Sequence, residues 1–169
     1  MHGIAIAAQP LILLGLIGLS QYLEWSGMAT GALVVYSFSV VGNLVAALMS
    51  GFVASDVIDR LRGADIADTT PYQALLHYTG SINQAFARVA VLAAGVAILL
   101  WSSEIGRTRR LSRTSAVVGM AVGLILMLGL LLGQLHPDVR GIILATALQA
   151  LWMVLIAHQL LRVVPEGHG

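Results

Sequence analysis

Between Arg88 and Glu104 the chain reads VAVLAAGVAILLWSS, fifteen residues without a charge, and this stretch decides the fold. Extended back through Gln84 and Ser81 to about residue 76, it becomes a helix long enough to cross a bilayer, which takes about 20 predominantly apolar residues. The rest of the chain repeats the pattern. Of 169 residues, 58% are hydrophobic and only 10% charged, against about 45–50% and about 25% in an ordinary soluble domain. Such a chain is neither a water-soluble globule nor a disordered segment, and a net charge of +1 gives no basic field for nucleic acid. It is an integral membrane protein, all-α, a polytopic bundle forming a single transmembrane domain over residues 1–169.

Working outward from that stretch, charges and helix breakers punctuate five apolar segments at about 4–23, 28–58, 76–104, 114–135 and 138–164. The first carries Pro10 and lacks the basic start and small-residue cleavage site of a signal peptide. Glu24-Trp25-Ser26-Gly27 is a tight turn, and Asp56 to Arg62 is an amphipathic tail closed by Gly63. A polar loop over 64–70 leads to a capping box at Thr70-Pro71-Tyr72-Gln73, which starts the third helix before its apolar part begins. Gly106 is expected to close that helix, Ser112 to cap the fourth and Pro137 to open the fifth.

Arginine bias orients the bundle. Arg107, Arg109, Arg110, Arg113 and Arg162 gather on one side, against Arg60, Arg62 and Arg140 beside all the aspartates on the other. The richer side is expected to be cytoplasmic, placing the N-terminus outside and the C-terminus inside, with Tyr22, Trp25 and Trp101 in the inner aromatic belt. The second and third helices, about 35 residues or roughly 50 Å each, outrun a hydrocarbon core of about 30 Å. They are expected to project outside as a paired stub, with strong tilt or a break near Gly80 as the alternative.

The inventory also excludes chemistry. With no cysteine there are no disulfides, thiolate nucleophiles or Fe–S clusters, and with nine arginines and no lysine there is no Schiff base. No nucleophile–base triad, phosphate-binding glycine loop or HExxH pattern is present.

Polar residues inside spans are costly, so their positions point to a site. The third helix carries His77, Ser81, Gln84 and Arg88 at steps of four, three and four, on one face. The second shows Tyr36, Ser39, Asn43 and Ser50, the fifth Thr146, Gln149 and Met153, and the first Gln9 beside Pro10. Counted at 1.5 Å per residue, Gln9, Asn43, Arg88 and Gln149 all lie roughly 21–24 Å from the cytoplasmic end. The expectation is a pocket of Gln9, Asn43, Gln84, Arg88 and Gln149, with Arg88 meeting an anionic or carbonyl-bearing ligand: a lipid headgroup, a carboxylate metabolite or a quinone. The competing expectation is that the amides bridge helices and Arg88 snorkels to the outer interface.

A second candidate set is His77, His136, Asp56 and Asp59 on the outer side, whose donors suit a divalent metal or, through the two histidines, haem. Ordinary pairing of the aspartates with Arg60 and Arg62 is the plainer reading. In the fourth helix, Gly119-x-x-x-Gly123 and Gly129-x-x-x-Gly133 form a packing surface for another helix of this chain, or for a second subunit in a homo-oligomer or larger membrane complex.

The segments Asn83-Gln-Ala-Phe-Ala-Arg88, Ala97-Ile-Leu-Leu-Trp-Ser102 and Leu111-Ser-Arg-Thr-Ser-Ala-Val-Val-Gly119 resemble a family of small, uncharacterised bacterial integral membrane proteins, over about a quarter of the chain. The resemblance implies a multi-pass protein of a bacterial inner membrane and no particular activity. The sequence therefore predicts a protein that binds a small ligand or lipid within the membrane, as a transporter or an accessory subunit. The alternative is a haem- or metal-dependent membrane redox enzyme.

Overall fold

The computed structural model describes residues 2–63, 69–135 and 139–163, and every element in them is helical. In chain order these are α1 (His2–Tyr22), α2 (Gly27–Leu48), a π-helical turn (Met49–Val53), α3 (Ala54–Gly63), α4 (Thr69–Thr108), α5 (Arg113–Leu131) and α6 (Val139–Val163). Four helical stretches are long and apolar enough to cross a membrane, Gly27–Arg62, Thr69–Thr108, Arg113–Leu131 and Arg140–Arg162, and Ala7–Tyr22 is a shorter apolar helix.

The bundle is built around α4. Its inward face is a line of small residues, Ala87, Ala90, Ala94 and Ala97, all buried, which lets neighbouring backbones come close. Gly42 of α2 lies on this line, and a Cβ there would stand 2.9 Å from the Phe86 carbonyl oxygen. On the α5 side a Cβ at Gly123 would stand 2.8 Å from the Gly95 carbonyl oxygen, and one at Gly119 would collide with Ser102 Oγ and Trp152 Nε1. The first glycine pair of α5 is thus an intramolecular packing surface. The second pair is different: α5 ends at Leu131, and Gly133 lies beyond it at φ +70° as a helix stop, with its N–H donating to the Leu130 carbonyl at 3.2 Å.

Helix ends follow side-chain caps. Ser26 Oγ accepts from the Ala29 N–H and Ser112 Oγ from the Ser115 N–H, each at 3.2 Å. Gly106 does not close α4. The helix runs on to Thr108, and Arg109 at φ 54° takes the left-handed stop position, its N–H donating to Ile105 O at 2.9 Å. α4 is unbroken at Gly80, and the wide turn falls instead in the partner stretch at Met49–Val53. At 40 residues α4 is about 60 Å long. α3 packs along its N-terminal part through the buried Val57, so the two extra lengths do pair.

Trp101 does not belong to an interfacial belt. It is fully buried among α1, α2 and α6, donating Nε1–H to Ser20 Oγ at 3.1 Å and stacking on Trp152 with ring centroids 6.2 Å apart. Tyr36 packs on Trp101 at a tilt of 54°, with ring centroids 5.9 Å apart. Trp25, by contrast, is half-exposed at the α1–α2 turn.

Candidate functional site

Beside this aromatic cluster, toward the end of the bundle opposite the arginine-rich α4–α5 turn, α1, α2, α4 and α6 line a cavity of about 460 Å³. That is within the range of small-molecule sites, about 300–1,000 Å³. Each wall brings one amide. Gln9 comes from α1, Asn43 from α2, Asn83 from α4 and Gln149 from α6, with Tyr36, Ser50 and Thr146 completing the polar lining. The remaining lining is aliphatic and small, and no charged residue takes part.

The sequence places these side chains by simple periodicity. Tyr36, Asn43 and Ser50 recur at steps of seven on α2, and Thr146, Gln149 and Met153 at three and four on α6, so each set shares a face. Ser50 lies in the π-helical turn and satisfies its own hydroxyl on the Ala46 carbonyl at 2.9 Å. The amides are not spent in the same way. Among the described residues, no hydrogen bond engages the side chains of Asn43, Asn83 or Gln149, and Gln9 Oε1 is a buried acceptor without a donor. Four amides therefore offer NH₂ donors and carbonyl acceptors to one space.

Gln9, Asn43 and Gln149, expected together from the sequence, are together. Gln84 and Arg88 are not with them: both are exposed on the outer surface of α4 and take no part in the lining. The reason is the helix rotation of about 100° per residue. α4 turns its alanine line inward, so Asn83 and Ala87 face the cavity and the residues one step later are carried away from it. Asn83 was the residue to find. It heads the series Asn83, Ala87, Ala90, Ala94, Ile98, Trp101 at steps of four, three, four, four and three, the only polar member of that face before the tryptophan.

The outer-side set does not assemble among the described residues. Asp56 pairs with Arg60 at 2.9 Å and Asp59 with Arg62 at 3.5 Å, both on the exposed face of α3. His77 is exposed on α4, and His136 lies outside the described residues. No three histidine or acidic side chains gather as metal ligands among the described residues.

The opposite end is clasped by ionic and polar contacts. Arg110 pairs with Glu24 and donates to the Tyr22 carbonyl at 3.0 Å, while the Tyr22 hydroxyl donates back to the Arg110 carbonyl at 3.1 Å. Gln159 of α6 donates to Ser112 Oγ at 2.6 Å and accepts from the Ser112 N–H at 3.1 Å. Glu104, invisible to the sequence reading as anything but a helix end, is buried there and gripped by Arg107 through two bonds of 2.7 and 2.9 Å. The turns α1–α2 and α4–α5 and the end of α6 are thereby held on one side of the bundle.

No protein family, curated protein or solved structure matches this chain.

Proposed function

We propose that the protein is a binding protein of the membrane interior that takes a neutral, carbonyl-bearing ligand or lipid headgroup into the cavity of Gln9, Asn43, Asn83 and Gln149, as a transporter or an accessory subunit. The observation that carries this reading is the convergence of four amides, without a charge, on one cavity. Unpaired polar groups at membrane depth are costly, and a set of them on four different helices is far from what random placement supplies. Amides both donate and accept, which suits a ligand with carbonyl and hydroxyl groups. With the Arg88 guanidinium on the exposed surface, an anionic ligand loses its counter-charge, so the carbonyl-bearing branch of the expectation is preferred.

In this reading all five apolar helices cross a bacterial inner membrane, with the N-terminus outside and the arginine-rich turn in the cytoplasm. The cavity then lies in the outer half of the bilayer. The absence of cysteine makes the topology direct to test, since a single cysteine introduced at Ser112 should react only with a reagent admitted to the cytoplasmic side.

The binding test is native mass spectrometry of protein purified in mild detergent. A retained adduct should be lost in Asn43→Leu and in Gln149→Leu and kept in Arg88→Leu, with all variants eluting as the same monodisperse species. An adduct indifferent to the two amide variants, or lost with Arg88, would overturn the reading.

A further inference from the structure

A second, wholly different space adjoins the amide cavity. Between α1 and α6 runs a groove of about 230 Å³ whose walls are mostly aliphatic: Gly15, Leu16 and Leu19 on one side, Ile156, Ala157 and Leu160 on the other, with the Trp152 indole beside them. It exists because the two helices have other partners, α1 packing on α2 and α6 on α5, which leaves them apart along this length. Its floor is formed by Leu16, Leu19 and Ile156 of the buried core.

The two spaces are neighbours: Ile12 and Met153 line both, so a chain passing between that pair would reach from the amide cavity into the groove. The cavity has a polar, uncharged lining and the groove an apolar one. The amides of the cavity bring both carbonyl acceptors and NH₂ donors, and Gln9 Oε1 is itself covered and without a partner. A ligand that answers both carries a hydroxyl and a carbonyl on a head without charge. From Ile12 to Leu19, α1 rises about 10 Å at 1.5 Å per residue, the length of roughly eight extended methylenes. That is room for one chain, not two.

Resting on the reading of the amide cavity given above, we infer that the ligand is a neutral single-chain lipid. Its hydroxyl- and carbonyl-bearing head lies among Gln9, Asn43, Asn83 and Gln149 and its chain in the α1–α6 groove; this is the chemistry of a monoacylglycerol. Because bilayer chains are as apolar as leucine, the groove adds selectivity for chain number and shape, and the head supplies the preference over bulk lipid.

The test uses the full chain reconstituted in phosphatidylcholine vesicles with a monoacylglycerol that carries a diazirine at mid-chain. After illumination, labelled residues are mapped by mass spectrometry. Label is expected at Leu16, Ile156 and Leu160. Gly15→Leu should reduce it at least tenfold by filling the groove, and it should fold, because a Cβ at Gly15 meets nothing within 4 Å. Ala157→Leu repeats the test from the opposite wall. The same chain on an anionic lysophosphatidylglycerol should label at least tenfold less. Label spread over exposed residues such as Leu11 and Val154, or unchanged in both groove variants, overturns the inference. If labelling falls with Asn43→Leu but not with Gly15→Leu or Ala157→Leu, the amide cavity binds and the chain lies elsewhere, so this inference fails and the reading of the cavity stands. Groove label indifferent to Asn43→Leu shows a lipid held by its chain alone, which overturns both.

Discussion

Trp101 of α4 donates its indole N–H to Ser20 Oγ of α1 at 3.1 Å, across 81 positions of sequence, and Ser20 reaches on to the Ala29 carbonyl of α2 at 3.4 Å. All three residues are buried. This chain fixes α1, which otherwise has few partners, onto the two central helices below the amide cavity. Ser20→Ala should leave the indole N–H unpaired and lower stability by about 1 kcal/mol, nearer the membrane average for such bonds than the upper end of the soluble range. Denaturation in mixed micelles measures the loss. Trp101→Phe in the Ser20→Ala background should then cost little beyond its own packing term; strict additivity of the two would show that the bond contributes nothing.

Glycine contacts around α4 and α5 make a graded series. Gly123→Ala brings a Cβ to 2.6 Å from Leu99 Cγ and 2.8 Å from the Gly95 carbonyl oxygen, and backbone cannot yield cheaply. A cost of about 1–3 kcal/mol is expected, with Gly119→Ala similar because it strikes Ser102 and Trp152. Gly129→Ala, whose nearest contact is Leu135 Cβ at 3.4 Å, should be nearly neutral. Thermal unfolding of the three in detergent orders them. A Gly129 variant as damaging as the Gly123 variant would contradict the packing described.

At the clasped end, Glu104 is buried while its partner Arg107 is two-thirds exposed at the side chain. Removing the guanidinium by Arg107→Leu takes away the main partner of a buried carboxylate, whereas Glu104→Gln removes the charge and keeps a hydrogen-bonding group. Arg107→Leu should therefore be the more destabilising of the two. Adding Glu104→Gln to Arg107→Leu should recover part of that loss, which a double-mutant cycle reads directly.

Much of this fold is legible in the chain because bilayers demand long apolar helices, and Ser112 and the glycines of α5 act locally. What was not legible depends on rotation about a helix axis. Residues 83 and 84 are both amides, and residues 87 and 88 are small and charged respectively. A stripe through Gln84 and Arg88 is as regular as one through Asn83 and Ala87, and a search for polar residues selects the first. The structure selects the second, because tight packing on α2 and α5 rewards small side chains more strongly than any polar pattern. Trp101 and Glu104 escaped for a related reason: their types are typical of membrane boundaries, and only their neighbours make them interior, Ser20, Tyr36 and Trp152 in the case of Trp101.

Arg109 is a place where the chain accepts strain. Its φ of 54° ends α4 without the glycine that this position favours. Left-handed backbone costs an ordinary residue about 1–2 kcal/mol, and glycine's greater freedom in the unfolded chain returns part of the difference. Arg109→Gly should stabilise by about 0.5 kcal/mol in a thermal melt, without loss of topology, since Arg107, Arg110 and Arg113 remain in the same turn. A lower melting temperature would mean that the Arg109 side chain matters more than its backbone.

The adjacent amides of α4 give the sharpest separation of pocket from surface. Asn83 and Gln84 have the same chemistry and the same depth to within one residue's rise of 1.5 Å, and differ in the direction they face. Hydropathy, insertion and helix propensity are accordingly almost matched between Asn83→Leu and Gln84→Leu. If the cavity holds a ligand through its amides, Asn83→Leu should lower retention at least tenfold, as loss of one of four converging hydrogen-bonding groups at a water-poor site would. Gln84→Leu should leave retention unchanged and, by placing an apolar side chain on the exposed surface, slightly raise stability in the bilayer. Equal effects from the two would mean that what matters at this depth is polarity as such, not the cavity.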